Sequence, residues 1–267
     1  MRSTLALSAV LMIFSPQAPA QEIVAHRGFS ARAPENTLSA FRLAWESGTD
    51  ACELDLHLTA DHQIVIMHDA DTKRTTGIAK RISESTLADL RPLDAGTWKS
   101  PDYKGEPIPT LSEALATLPE GPQRFFLEIK CGPEVVPVLA HQLDAWKPRA
   151  KQLCIIAFDR KVAQDSKKAL PWIEVYRLSS EQTKDKKPVD LTTLIQDTRD
   201  DHLDGLDLSR KWNWTPELVQ QIRKANLKLF AWTVNDPTEA RHLASLGIDG
   251  ITTDDPTATR QALSTPP

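Results

Sequence analysis

Short apolar runs alternate with longer amphipathic stretches from residue 21 to the end of the chain. Eight runs have the length and composition of strands: Glu22–His26, Ala51–His57, Phe125–Lys130, Leu153–Phe158, Trp172–Leu178, Gly205–Leu208, Leu227–Val234 and Gly250–Thr253. Helix-like segments lie between them, among them Thr37–Ser47, Val135–Trp146, Pro216–Lys224 and Pro237–Leu246. Strands that alternate with helices indicate parallel βα units. Eight such strands favour a closed (β/α)8 TIM barrel over an open sheet.

Three segments depart from this alternation. Gln63–Met67 (QIVIM) is a ninth β-like run, too close to the second strand for a helical crossover, so we expect an antiparallel arm there. Residues 71–109 lack the barrel pattern and contain prolines at 92, 101, 107 and 109. We interpret them as a small insertion on the mouth of the barrel, where the strands end. The charged stretch from Glu181 to Asp201 is expected to be a solvated loop or helix.

The first twenty residues have the layout of a secretory signal peptide. Arg2 gives a positive start, an apolar run follows from Leu5 to Phe14, and Ala18-Pro19-Ala20 is a small-x-small cleavage site. The apolar run is about half as long as the ~20 residues that a membrane-spanning helix needs. We therefore expect cleavage near Ala20, export to the periplasm or the extracellular space, and a mature barrel domain over residues 21–267.

Composition excludes several classes of protein. A chain with 40% hydrophobic and 25% charged residues is globular rather than disordered. A formal net charge of −4 argues against a nucleic-acid binder with a broad basic face. The cysteines at 52, 131 and 154 match neither a disulfide framework nor a metal pair. We expect Cys52 and Cys154 to face the helix layer as buried thiols, while a disulfide among the three cysteines stays open because no spacing selects a pair.

The second predicted strand carries two carboxylates that point the same way. Glu53 and Asp55 are two residues apart and share one face, whereas Cys52, Leu54 and Leu56 share the other. The apolar face belongs against the helices, which turns both carboxylates into the barrel. Two anions held together in a low-dielectric interior need a positive partner. A divalent cation with oxygen ligands would supply it, and an ion pair with a barrel lysine or arginine is the alternative.

The third predicted strand adds a further carboxylate. It places Glu128 and Lys130 on one face, and neighbouring parallel strands bring Glu128 beside Glu53 and Asp55. Three carboxylates with one nearby ammonium are still too negative, which favours Mg²⁺ or Ca²⁺ over the ion pair. No histidine or cysteine joins this set at metal spacing, which argues against zinc. Lys130 would then face the anion that the metal binds.

Two histidines are expected at the mouth of the barrel. The first strand ends in His26-Arg27-Gly28, and the carboxyl ends of barrel strands are where such folds carry catalytic groups. The antiparallel arm ends in His68-Asp69 and returns to the same mouth. Two histidines on opposite sides of a metal suit acid–base chemistry near neutral pH, and ordinary surface positions are the alternative.

Seven short motifs containing these residues follow one another along the mature chain. They are His26-Arg27-Gly28, Pro34-Glu35-Asn36-Thr37, Glu53-Leu54-Asp55, Val65-Ile66-Met67-His68-Asp69, Leu127-Glu128-Ile129-Lys130, Ala231-Trp232-Thr233-Val234-Asn235, and GIDGITTDDP over 247–256. Each motif is weak alone, but in this order they resemble the glycerophosphodiester phosphodiesterase family. The resemblance covers essentially the whole mature chain and implies a (β/α)8 barrel with a small insertion after the second strand.

The resemblance implies metal-dependent hydrolysis of glycerophosphodiesters to sn-glycerol 3-phosphate and an alcohol. Carried over by position, the metal ligands are Glu53, Asp55 and Glu128, the acid–base pair is His26 and His68, the phosphate contacts are Arg27 and Lys130, the orienting residues are Glu35 and Asn36, and the pocket wall includes Trp232. The usual ion is Mg²⁺ or Ca²⁺. The family often has a serine before the phenylalanine that ends the fourth strand, whereas this chain has Ala157-Phe158, which puts that contact in doubt.

Two alternatives keep the barrel but change the function. The first is a lipid-directed phosphodiesterase of the lysophospholipase D or phosphoinositide phospholipase C type, for which Trp212 and Trp214 would insert into the lipid interface. The second is a non-catalytic barrel that binds phosphodiesters, which should have lost a histidine or carboxylate. The sequence favours a small-molecule glycerophosphodiester as partner, with no nucleic acid and no stable membrane insertion, and leaves the oligomeric state open.

Overall fold

The computed structural model describes residues 21–264, so the expected signal peptide lies outside the described residues. Within this range one sheet contains β1 (Glu22–Ala25), β2 (Ala51–Leu58), β3 (Ile64–Ile66), β4 (Arg124–Ile129), β5 (Leu153–Ala157), β6 (Glu174–Ser179), β7 (Gly205–Ser209), β8 (Lys228–Trp232) and β9 (Gly250–Thr253). All but β3 are parallel, and β1 pairs with both β2 and β9, which closes an eight-stranded barrel. The predicted (β/α)8 barrel is confirmed.

Helices cover the outside of the barrel. They are α1 (Leu38–Glu46), α2 (Lys73–Thr76), α3 (Leu87–Leu90), α4 (Leu111–Leu115), α5 (Val135–Leu143), α6 (Arg160–Ala169), α7 (Leu191–Asp200), α8 (Pro216–Lys224), α9 (Pro237–Ser245) and α10 (Pro256–Ser264). The Thr37 side chain accepts a hydrogen bond from the amide of Ala40 and so begins α1. Among residues 21–264, every helix is too short or too polar to cross a bilayer.

The short strand β3 is the predicted antiparallel arm. It pairs with the end of β2 in the register Leu56 to Ile66 and Leu58 to Ile64. The segment that follows β3 carries α2 and α3 and packs its own apolar side chains against the arm, among them Ile82, Leu90 and Ile108. This insertion also reaches the loop after β1, where Lys99 Nζ donates to the carbonyl of Ser30 at 2.7 Å. The insertion therefore lies beside the mouth of the barrel.

Aromatic rings fill the lower half of the barrel interior. The rings of Phe126, Tyr176 and Phe230 pack against one another with centroids 5.1–6.0 Å apart. The guanidinium of Arg124 lies below them, 4.7 Å from the centroid of the Phe126 ring, and donates to both carboxylate oxygens of Glu22 at 2.7 and 2.8 Å. The amino end of the barrel is thus closed by an arginine stacked on aromatic rings.

One predicted side-chain direction is wrong. Cys52 faces the helix layer as expected, but Cys154 packs inside the barrel with Phe126 and Tyr176. The reason is that β5 is apolar on both faces, so its hydrophobic pattern does not say which face is inside. All three cysteines are free thiols in the structure.

The two tryptophans considered for lipid contact pack in the core or against it. Trp214 is buried, and its indole N–H donates to the carbonyl of Ser209 at 3.3 Å. Trp212 packs against the same apolar cluster and donates to the carbonyl of Ser179 at 3.2 Å. Both rings are thus held against the barrel by packing and by a hydrogen bond.

A tight turn after β1 requires glycine. Gly28 has φ +78°, and a Cβ atom built there would lie 2.7 Å from backbone and side-chain atoms of Ala40 in α1. The close approach allows the next residue, Phe29, to donate its amide hydrogen to the carbonyl of Ala40 at 3.0 Å. The turn that carries His26 and Arg27 is thereby held against α1.

We expect Gly28→Ala to destabilise the protein much more than Gly48→Ala, a control whose φ is +74° but whose Cβ would meet no atom within 4 Å. The positive φ alone costs about 1 kcal/mol for alanine, and the clash with Ala40 adds about 1–3 kcal/mol at position 28. Urea denaturation gives the free energy of unfolding of each variant. Equal losses would show that Ala40 moves aside freely.

We expect thiol reagents to distinguish the three cysteines. Burial raises the pKa of Cys131 to about 11 and raises the pKa of both Cys52 and Cys154. At pH 8 the native protein should react slowly at Cys131 alone, because only that cysteine is partly exposed. In denaturant all three thiols should react. A single reactive thiol in denaturant would instead reveal a disulfide.

Candidate active site

A cavity of about 240 Å³ opens at the carboxyl ends of the barrel strands. It brings together seven of the residues singled out by sequence: His26, Arg27, Glu53, His68, Glu128, Lys130 and Trp232. The other three, Glu35, Asn36 and Asp55, contact these lining residues or one another from behind the cavity wall. All ten predicted residues therefore lie in one site, at the end of the barrel where such folds carry their chemistry.

Three buried carboxylates form the centre of the site. Glu53, Asp55 and Glu128 each offer one oxygen, and these oxygens lie within 4.8 Å of one another. Oε1 of Glu53 and Oδ1 of Asp55 are buried and have no hydrogen-bond partner among residues 21–264. Burial and the neighbouring carboxylates raise the pKa of Glu53 and of Glu128, since the ionised forms repel one another in a poorly solvated space. The donor set, all oxygen and short of positive charge, fits a hard divalent cation.

Lys130 provides part of the ion pairing that the sequence left open. Its Nζ donates to Oε1 of Glu128 at 2.7 Å and lies 3.5 Å from Oδ1 of Asp55. It leaves Oε1 of Glu53 unpartnered. One ammonium therefore stabilises two of the carboxylates but does not replace a cation for all three.

Arg27 connects the turn after β1 to the carboxylates. Its backbone has φ +55°, a left-handed conformation that turns the amide N–H towards Oε2 of Glu53 at 2.8 Å. Its guanidinium donates to Oε1 of Glu35 at 2.8 Å, and its Nε lies 3.4 Å from Oδ2 of Asp55. Glu35 thus fixes the direction of the guanidinium beside the cavity.

Asn36 orients the most deeply buried carboxylate. It also has a positive φ, of 59°, and its side-chain amide donates to Oδ2 of Asp55 at 2.7 Å. The backbone amide of Asp55 donates in return to Oδ1 of Asn36 at 3.3 Å. This reciprocal pair leaves Oδ1 of Asp55 directed towards the other two carboxylates.

Each histidine is held by its own carboxylate. Nδ1 of His26 lies 2.6 Å from Oδ1 of Asp254, and Nδ1 of His68 lies 2.7 Å from Oδ1 of Asp69. Burial opposes ionisation of both aspartates, but their hydrogen-bond donors outweigh it and lower the pKa of each to about 2. A carboxylate that accepts from Nδ1 leaves Nε2 of each ring available for proton transfer.

The sequence analysis assigned no role to several residues that the structure places here. Arg74, from the four-residue helix α2, donates to both oxygens of Glu35 at 2.8 Å and to Oδ2 of Asp69 at 2.7 Å. Asp254 is held by Asn235, whose side-chain amide donates to it at 2.6 Å. Both Asn235 and Asp254 lie within motifs quoted above, whereas nothing in the pattern around Arg74 could have indicated it.

The cavity wall opposite the carboxylates is largely apolar. Ile156, Leu178 and Trp232 line it, and the ring of Phe158 meets that of Trp232 edge to face at 5.4 Å. A single carboxyl interrupts this wall at Asp207, where burial, with the charge of Glu128, raises the pKa. The sequence carried a signal for it, because Leu206-Asp207-Leu208 repeats the alternation seen in Leu54-Asp55-Leu56.

Comparisons with known proteins give the family of the chain. The model of the glycerophosphoryl diester phosphodiesterase family matches residues 26–258. A glycerophosphodiester phosphodiesterase of Caldanaerobacter subterraneus is 33% identical over 238 residues, covering 88% of this chain and 94% of its own. A lysophospholipase D of Mus musculus is 36% identical over 112 residues, which cover only 40% of this chain.

A solved structure has a similar fold. An Oleispira antarctica phosphodiesterase in complex with the product sn-glycerol-3-phosphate superposes with a TM-score of 0.83 at 29% identity, covering 91% of this chain and 97% of that one. The family match spans all the candidate site residues, and the full-length relative exceeds 30% identity. The chain therefore belongs to the glycerophosphoryl diester phosphodiesterase family.

Proposed function

We propose that the protein hydrolyses glycerophosphodiesters to sn-glycerol 3-phosphate and an alcohol, with a divalent cation and with His26 and His68 as the acid–base pair. One observation carries the proposal: two histidines, each held at Nδ1 by a carboxylate, line the same small cavity as three buried carboxylates. An acid, a base and a possible cation site therefore lie around one cavity of about 240 Å³.

Phosphate binding follows from the charges at the cavity. Glu53, Asp55 and Glu128 are the residues that would hold the cation, and when bound it would neutralise charge that develops on the phosphoryl oxygens. Arg27 and Lys130 line the same cavity and supply two further positive groups. Two cationic side chains and a divalent cation beside the carboxylates would suit the negative charge of a phosphodiester.

The histidines move the protons. One takes the proton from a glycerol hydroxyl of the substrate as that oxygen attacks phosphorus, and the other gives a proton to the oxygen of the departing alcohol. The cyclic phosphate that results is opened by water, with the two histidines exchanging roles. Burial lowers the pKa of His68, so its ring is neutral near pH 7 and suits the base of the first step. We therefore assign the acid to His26.

A lipid-directed activity would need exposed apolar side chains around the mouth of the cavity. Among large hydrophobic side chains in the described range, Ile78, Trp98 and Phe158 are exposed, whereas Trp214 is buried in the core and Trp212 packs against it. The small cavity favours a water-soluble glycerophosphodiester over a lysolipid. Comparing the rates of hydrolysis of lysophosphatidylcholine and glycerophosphocholine in one assay distinguishes the two activities.

Replacing Glu53 by glutamine should abolish most of the activity, because it keeps the side-chain volume but removes one negative ligand. Release of glycerol 3-phosphate should fall at least ~100-fold and recover little with added Mg²⁺ or Ca²⁺. Exposed Glu217→Gln in α8 is the matched control and should keep full activity.

The wild-type protein gives the complementary test of metal dependence. EDTA should remove activity, and the restored ion should raise the melting temperature by binding the native state alone. Full activity in excess EDTA would contradict the metal proposal.

Replacing His26 or His68 by alanine should reduce kcat about 10²–10⁴-fold. Glycerol 3-phosphate should still bind, because Arg27, Lys130 and the cation site remain. Exposed His141→Ala is the control for loss of a histidine. With a nitrophenyl ester the leaving group hardly needs a proton, so His26→Ala should regain most of its rate while His68→Ala should not. The opposite pattern would exchange the assigned roles, and near wild-type rates for both would make the histidines structural.

A further inference from the structure

Asp207 is a buried acid that the steps above do not use. It lies in the middle of β7 with its backbone paired to Leu178 on one side and Phe230 on the other, and only 1% of it is exposed. Its side chain faces the barrel interior and lines the active-site cavity on the apolar side, with Ile156 and Leu178. It thus contacts the cavity from the wall opposite Glu53.

The carboxyl of Asp207 has an unfilled hydrogen-bonding position. Oδ1 is buried and has no hydrogen-bond partner within the part of the chain that the structure describes. Glu53 and Asp55 also carry an unpartnered oxygen, but both belong to the group of carboxylates that could hold a cation, whereas Asp207 does not. A buried polar oxygen without a partner is unfavourable unless something else binds it. The cavity that Asp207 lines offers a place for such a partner.

The surroundings of Asp207 restrict what this partner can be. It is not part of the group of three carboxylates that could hold a metal ion. A phosphate group belongs on the other side of the cavity, where Arg27 and Lys130 lie beside Glu35 and Glu128. The apolar side chains around it suit carbon atoms, and its nearly complete burial admits only a small polar group. A hydroxyl on a short carbon chain meets both conditions, since it donates to a carboxyl oxygen whether or not that carboxyl carries a proton.

We propose that Asp207 is a specificity-determining residue that accepts a hydrogen bond from the terminal hydroxyl of the substrate's glycerol moiety. The proposal rests on the proposed function, in which the other glycerol hydroxyl attacks phosphorus on the carboxylate side of the cavity. The glycerol carbons then lie against Leu178 and Trp232. Trp232 is itself fixed by a hydrogen bond from its indole N–H to the backbone carbonyl of Asp207 at 3.0 Å. The apolar wall and the hydroxyl acceptor are therefore one rigid unit.

Two substrates that differ by one hydroxyl test this assignment. Glycerophosphocholine carries both hydroxyls, whereas 2-hydroxypropyl phosphocholine keeps the attacking hydroxyl and lacks the terminal one. Wild type should prefer the former by about 10–100-fold in kcat/KM, because a site that binds a hydroxyl discriminates against an analogue without it. Asp207→Leu should lose most of that preference, and Asp207→Asn, whose amide oxygen still accepts, should retain it.

Binding and stability supply readouts that do not depend on turnover. In calorimetry, wild type should bind glycerol 3-phosphate more tightly than 2-hydroxypropyl phosphate by a similar factor, and Asp207→Leu should bind the two alike. The melting temperature of Asp207→Leu should be unchanged or higher, since no internal hydrogen bond is lost. A lower melting temperature with unchanged substrate preference would make Asp207 a structural residue and overturn the inference.

The remaining outcomes separate this inference from the proposed function. If wild type neither releases nor binds glycerol 3-phosphate, the proposed function fails and the inference fails with it. If wild type hydrolyses glycerophosphocholine but Asp207→Leu keeps its preference for the terminal hydroxyl, the inference alone is wrong. If Asp207→Leu instead changes the ratio of glycerophosphocholine to glycerophosphoethanolamine, the carboxyl recognises the ammonium headgroup, which also overturns the assignment.

Discussion

Mutual repulsion among three buried carboxylates is the constraint on which the rest of this site depends. Glu53, Asp55 and Glu128 share a space that water scarcely reaches, so their negative charge must be balanced from nearby. The protein does this with Lys130 and with two residues in left-handed conformations, Arg27 and Asn36. Their arrangement balances part of the charge and leaves unpartnered oxygens that converge on one point. The fold thus keeps an excess of negative charge at this point, which a divalent cation would balance.

The same network extends outward to the insertion. Glu35 accepts from Arg27 on one side and from Arg74 on the other, and Arg74 also donates to the aspartate that orients His68. A helix of only four residues therefore links Arg27 to one of the two histidines. Residues far apart in the chain act as one hydrogen-bonded assembly, whose order depends on the insertion as well as on the barrel.

The sequence predicts this molecule where a physical pattern is unambiguous. Alternation in β2 directs Glu53 and Asp55 inward because Leu54 and Leu56 need the helices. The same reasoning fails for Cys154, since both faces of β5 are apolar and neither is marked as the outside. Arg74 lies in a segment without periodicity, so its position depends on tertiary folding that no local pattern records. The alternation around Asp207 can be read from the sequence, but the location of Asp207 opposite the other carboxylates follows only from the closed barrel.

Closure of the barrel at its amino end has a consequence for the order of events. Arg124, stacked below the rings of Phe126, Tyr176 and Phe230, fills the barrel interior at this end, so the active-site cavity opens at the carboxyl ends of the strands. Substrate, water and both products must then share the same entrance. In the two-step hydrolysis proposed above, an alcohol that stayed in this interior would keep water from the phosphorus atom. The proposal therefore implies an order of release in which the alcohol leaves first and the glycerol phosphate last.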